Sequence, residues 1–243
     1  MKHIFTLLSF IFIANLGISQ DYDDLKILYA DANYEKLVKV CEKYTLSDKT
    51  KKDVMPYIWF AKGLYKISLS STPDEKYKNA YKDAIKYLSK GIKYDLKYND
   101  GATIEDEREF IDEFQMSLVE TIDGEMAAGN FKKAYSWTIK YQKITVNLIG
   151  AKYMMGAEKY FDQDKTTARA MWKEGAALLE EVTGIDDWSE ADRQIFKLGI
   201  LHSAAALNKS RQGDKAKALL GKTAQWFEDD EDWEELYDEI VNI

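Results

Sequence analysis

An all-α fold is the prediction, and three observations carry it. Ala, Leu, Lys and Glu dominate at helical spacing, and only two prolines, Pro56 and Pro73, interrupt the 243 residues. Alternating apolar and polar runs joined by Asn-Gly turns, the mark of a hairpin of strands, are absent. Residues 78–95, KNAYKDAIKYLSKGIKYD, place Tyr81, Ala84, Ile85, Leu88, Gly91 and Ile92 at three- and four-residue steps. The small residues Ala84 and Gly91 on that face let a neighbouring backbone come close, while Tyr81 and Leu88 fill the spaces between.

The chain opens with MKHIFTLLSFIFIANLGISQ, in which Lys2 precedes an apolar run over residues 4–16 and the exit Gly17-Ile18-Ser19. That reads as a cleaved secretory leader, since the run falls short of the roughly 20 apolar residues a membrane span needs. The expectation is a leader over 1–20 and one helical domain over 21–243, exported to the periplasm or beyond, with no membrane span in the mature chain. Residues 22–32 and 34–44 make a first helix pair with Leu25, Leu28, Leu37, Val38 and Cys41 as the mutual face. A helix over about 56–69 tolerates Pro56 in its first turn and carries Trp59 and Gly63. Thr72, Pro73 and Glu75 read as N-cap, first helical position and capping-box partner for the segment leading to 78–95.

Residues 98–103, YNDGAT, are a turn. One long helix is then expected over 104–128, with Phe110, Ile111, Phe114, Leu118, Val119, Ile122 and Met126 on its inner face. Gly129-Asn130-Phe131 turns into a helix over 132–144 with Ala134, Trp137, Thr138 and Tyr141 inward. A fourth pair spans 151–161 and 167–182, the second member burying Ala170, Met171, Ala177 and Leu178. A fifth starts at Ser189, whose hydroxyl caps a helix reaching about Arg211, and returns over 215–227 with Ala218, Leu219 and Trp226 inward. Residues 231–241 end the chain as an amphipathic helix with Trp233, Leu236, Tyr237 and Ile240 inside.

Charge and chemistry narrow the function. The net charge is −8, and it is uneven: residues 21–100 carry 16 lysines against 13 carboxylates, residues 101–243 carry 17 Lys plus Arg against 29. A chain this acidic lacks the concentrated basic surface that nucleic acid requires. Cys41 has no second cysteine to pair with and reads as a small buried hydrophobe. His202 is the one histidine of the mature chain, so no histidine pair for a metal exists. Residues 162–166, DQDKT, lack the central glycine and closing glutamate of a calcium loop and fit a helix-to-helix turn. A phosphate-cradling glycine loop and a nucleophile elbow are both missing. The expectation is therefore no catalytic residue, no metal and no cofactor. The carboxylates of 228–239 read as a solvated helix face, and Trp59, Trp137, Trp172, Trp226 and Trp233 as core.

The 78–95 pattern resembles the second helix of a tetratricopeptide (TPR) repeat. Trp59 and Gly63 stand four apart, as the bulky and small positions of that repeat's first helix do, and Gly129-Asn130-Phe131 resembles its inter-helix turn. The aligned turns fall at Tyr34, Tyr81, Phe131, Thr167 and Lys215, at intervals of 47, 50, 36 and 48 residues, against about 34 in the family. The closing proline of that repeat is missing. The resemblance implies a divergent right-handed αα-hairpin solenoid of about five helix pairs plus a C-terminal capping helix. In that family the first helices line a concave binding face. Carried over, this places Tyr57, Phe60, Asp123, Tyr153, Tyr160, His202 and Arg211 at or near a groove. The expected function is a non-enzymatic scaffold that holds another envelope protein or peptide; carbohydrate or nutrient capture on the aromatics is the alternative.

Overall fold

Helix succeeds helix along the chain, and no strand occurs among the described residues. The computed structural model describes residues 22–70, 74–227 and 229–241. The expected leader, the Thr72-Pro73 cap and Glu228 lie outside the described residues. The helices are α1 (Asp23–Ala30), α2 (Tyr34–Leu46), α3 (Val54–Ser68), α4 (Ala80–Tyr98), α5 (Ala102–Asp106) and α6 (Arg108–Ala127). They continue as α7 (Phe131–Tyr141), α8 (Ile149–Phe161), α9 (Lys165–Leu179), α10 (Glu190–Lys209), α11 (Gly213–Phe227) and α12 (Glu231–Val241). None of them is long and apolar enough to cross a membrane.

Most helices pack on the next in sequence, so that α1/α2, α3/α4, α6/α7, α8/α9 and α10/α11 form five successive pairs, with α10 packed on α8 rather than on α9. Four of these pairs turn in the same way. Ala32, Gly129, Gln163 and Arg211 follow their helices with φ of 53°, 71°, 68° and 61°. The next amide then reaches back five residues: Asn33 to Leu28 O, Asn130 to Glu125 O, Asp164 to Lys159 O and Gln212 to Leu207 O, at 2.8–3.0 Å. This is the left-handed C-terminal stop that satisfies the last carbonyls of a helix. Only one of the four positions is glycine. Arg211, expected at the groove, is thus the turn residue between α10 and α11, and its side chain is exposed.

Caps fix the starts. Asp164 accepts from Thr167 N at 3.1 Å, which starts α9 two residues earlier than expected. Ser189 Oγ accepts from Asp192 N at 3.2 Å and starts α10 as expected. Asp74 accepts from Lys76 N at 3.2 Å and opens a 3-10 turn over Glu75–Tyr77 ahead of α4.

The single helix expected over 104–128 is broken at Glu107 into α5 and α6. Buried Asp95 holds Ile104 N at 2.8 Å on the near side, and Glu107 bonds Lys62 of α3 at 2.5 Å. Freed from α5, α6 packs on α7 and along α10. The inner face of α6 is as the periodicity predicts, with Phe114, Leu118 and Ile122 fully buried.

Two expected faces are displaced. On α9 the buried residues are Ala168, Gly175 and Leu179, while Ala170, Ala177 and Leu178 are exposed. On α11 they are Ala216, Leu220, Thr223 and Phe227, while Ala218 is exposed and Leu219 and Trp226 are half-buried. Both helices are alanine-rich, so their stripe is set by what they approach. A Cβ on Gly175 would lie 3.2 Å from the Tyr153 ring, and Gly156 leaves room for the Trp172 indole. Trp59 and Trp233 are buried, whereas Trp137, Trp172 and Trp226 are half-buried. Cys41 is buried, and burial pushes its thiol up.

Candidate functional site

Three connections between successive pairs meet at one end of the bundle: residues 99–107, 142–148 and 180–189. They enclose a cleft of about 650 Å³ whose walls include Ile104, Ile111, Val146, Leu148, Leu178 and Trp188. Val146 is 66% exposed, Leu178 38% and Leu148 37%. Val146 and Leu148 lie in an open connection with no helix face on which to hide, and with Leu178 in the last turn of α9 they gather around a hollow.

The cleft is braced by polar contacts across three elements. Asp112 of α6 accepts from Ala191 N at 2.8 Å, capping α10 from a different pair. Arg108 donates to Asp187 O at 2.7 Å, tying the start of α6 to the 180–189 connection. Asp192 Oδ1 accepts from Tyr141 Oη at 2.7 Å and from Thr145 Oγ1 at 2.8 Å. Gln115 Nε2 donates to Ile144 O. Burial raises the Asp192 carboxyl above its ordinary range against these hydrogen bonds, and burial beside Asp192 raises the Tyr141 phenol. Along the cleft the carboxylates Glu105, Asp112, Glu181 and Asp187, with the buried Asp192, outnumber the one lining cation, Arg108. The arrangement can take an apolar body bearing positive charge.

None of the seven residues expected at a groove lines this cleft. Tyr57 is fully buried, its hydroxyl donating to Lys51 O at 2.8 Å. Phe60 is buried under Tyr87, with ring centroids 3.7 Å apart. Tyr153 is buried between α8 and α9, its ring against Gly175 and 6.4 Å from Phe196. Tyr57 and Phe60 are closed off by packing, while Tyr153 keeps an edge on a small pocket between α9 and α11; helix periodicity alone does not separate a core stripe from a lining stripe. Tyr160 is half-buried between Phe161 and Trp172, with Lys165 over its ring at 5.7 Å. Asp123 and His202 are brought together, Oδ1 to Nε2 at 3.8 Å, linking α6 to α10 at a half-exposed position. That separation exceeds a hydrogen bond. Among the described residues no group of three or more His, Cys, Asp or Glu is gathered in a way that could hold a metal ion.

The cleft was missed because half of its wall lies in connections, and because Ile111 and Leu178, on helices, read from their periodicity as core. The signal was present in Val146, Leu148 and Trp188, apolar residues outside every expected helix.

Fold and site define a class, an all-α protein of packed helix pairs with an apolar, acid-lined cleft at their connections. Compared with protein-family models, with curated proteins and with solved structures, the chain gives no significant match to any of them.

Proposed function

We propose that this chain is a non-catalytic binding protein, a divergent TPR-like solenoid of five helix pairs capped by α12, exported by the leader at 1–20. Its job is to hold a segment of another envelope protein. The observation that carries this reading is the convergence of Val146, Leu148 and Leu178, all open to solvent, on one braced cleft. The surplus of carboxylates there favours a segment combining apolar side chains with Lys or Arg. The four equivalent turns support a repeat origin, with the irregular spacing absorbed in the connections that build the cleft. Carbohydrate capture is the weaker reading. The cleft offers one aromatic, Trp188, whose ring already lies 5.3 Å from Phe196.

The test is fluorescence anisotropy with labelled peptides of basic-apolar and acidic-apolar sequence. The basic-apolar peptides bind saturably and lose at least about tenfold in affinity to the double variant Val146→Asp/Leu178→Asp, about 1.4 kcal/mol. Both side chains are exposed, so melting is unchanged. Equal binding of acidic peptides, or no loss in the variant, would sink the assignment.

A further inference from the structure

A second pocket, of about 420 Å³, opens between α9 and α11 and shares no lining residue with the cleft. Its floor is apolar, made by Tyr153 and Trp172 with Leu207 and Leu219. Its polar lining is Arg169, Lys173, Lys215 and Gln212, with no carboxylate. That is against the trend of the chain, because residues 101–243 carry 29 carboxylates against 17 cations.

Two nearby acids are engaged elsewhere. Glu174, next to Lys173 on α9, turns to Lys152 of α8 at 2.6 Å. Glu180 bonds Lys222 of α11 at 2.5 Å. Arg169 and Lys173 stand four residues apart on one helix stripe, and neither has an ion pair or hydrogen bond among the described residues. Lys215 donates to Gln212 Oε1 at 2.9 Å, and Gln212 in turn donates to Ser210 Oγ at 2.7 Å. Two free cations and one steered cation therefore border the same hollow.

The floor is fixed independently. Trp172 Nε1 donates to Ser203 Oγ at 2.8 Å, and that hydroxyl donates to Tyr153 O at 2.9 Å. The indole N–H is satisfied inside the bundle, so what the ring offers to the pocket is apolar surface. Gly156 makes the position available: a Cβ there would lie 2.3 Å from the indole. The volume suits a small molecule. A planar guanidinium with two ammonium groups fits a carboxylate, which Arg can hold through paired hydrogen bonds.

We infer that this pocket binds a small amphiphilic carboxylate, its charged end among Arg169, Lys173 and Lys215 and its apolar body on Trp172, Leu207 and Leu219. The site is independent of the cleft proposed above for a protein segment.

Isothermal titration calorimetry on the mature chain tests this with octanoate and 4-phenylbutyrate, against octanol, 4-phenylbutanol and inorganic phosphate. The carboxylates bind one site per chain and weaken with added salt. The variant Arg169→Glu/Lys173→Glu loses at least tenfold in affinity with helicity and melting unchanged, because both side chains are exposed; Lys215→Glu serves if that variant fails to fold. The cleft variant Val146→Asp/Leu178→Asp keeps full carboxylate binding, which separates the two sites. Equal binding of the alcohols, equal binding of phosphate, undiminished affinity in the charge-reversed chain, or no saturable heat with either carboxylate would overturn the assignment.

Discussion

The α2–α3–α4 joint and the α8–α10 joint both use glycine, and they use it differently. At the first, a Cβ on Gly63 would meet Leu37 Cδ2 and Val38 Cγ2 at 3.1 Å, and one on Gly91 would meet Tyr57 Cβ at 3.2 Å. The neighbours are side-chain atoms within an aromatic-rich core that includes the stacked Phe60 and Tyr87. At the second, a Cβ on Gly150 would lie 2.6 Å from Phe196 N, and one on Gly199 2.7 Å from Gly150 O. There backbone meets backbone. Side chains can shift by tenths of an ångström, whereas two helix backbones cannot give way without moving whole elements. The second joint therefore fixes the start of α8 against the middle of α10, and with it the 142–148 connection that walls the cleft.

The sharpest way to break the contrast is to add the same methyl group on each side. Gly199→Ala and Gly150→Ala lose about 2–3 kcal/mol in denaturant unfolding, because overpacking exceeds the roughly 1 kcal/mol that alanine gains in helix propensity. Gly91→Ala stays within about 1 kcal/mol of the parent, the same propensity gain offsetting a small shift of the Tyr57 side chain. Equal losses at both joints would erase the distinction.

A second difference is polar. The second half buries Glu158, Asp192, Lys197 and Ser203. Lys197 bonds Asp230 at 2.7 Å and so docks the segment leading into α12. Glu158 Oε1 accepts from Thr138 Oγ1, while Oε2 has no partner. Burial raises its pKa to about 8, opposed by the Thr138 hydrogen bond. The folded chain then holds a proton that the unfolded chain releases above the ordinary carboxyl pKa near 4.5. The contribution is whole below that value and is lost as pH rises toward about 8. Relative to Glu158→Gln, the parent loses about 1 kcal/mol between about pH 6 and pH 7. A pH-independent difference between the two would show that Glu158 ionises normally in the fold.

The smallest expected effect is at the turns. Ala32→Gly relieves a left-handed residue without disturbing any buried contact and raises stability by up to about 1 kcal/mol, read as an upward shift in melting temperature. A destabilised variant would show that this turn is not under strain.

Much of the fold was legible because long helices with large apolar residues declare their faces; α6 buries the side chains its periodicity names, and α4 does so with Tyr81 left half-buried. Alanine-rich α9 and α11 did not, since a methyl group fits several faces; on α9 the glycine contacts with Tyr153 and Trp172 decide among them. The turn register was hidden for a related reason. Gly129 announces its turn, while Ala32, Gln163 and Arg211 adopt the same conformation without glycine. Of the expected groove residues, Tyr57, Phe60 and Tyr153 went to the core because an aromatic on an inner stripe satisfies both readings until its neighbours are known. The cleft depends on connections from three pairs meeting, which no local pattern encodes.

The most direct test of the binding claim is hydrogen–deuterium exchange on the mature chain with and without a saturating basic-apolar peptide. Residues 142–149 and 178–189, which carry the open apolar side chains of the cleft, gain protection together in the complex, and α3 and α4 do not change. Protection confined to other helices, or none at a peptide concentration that saturates anisotropy, would contradict the cleft as the site.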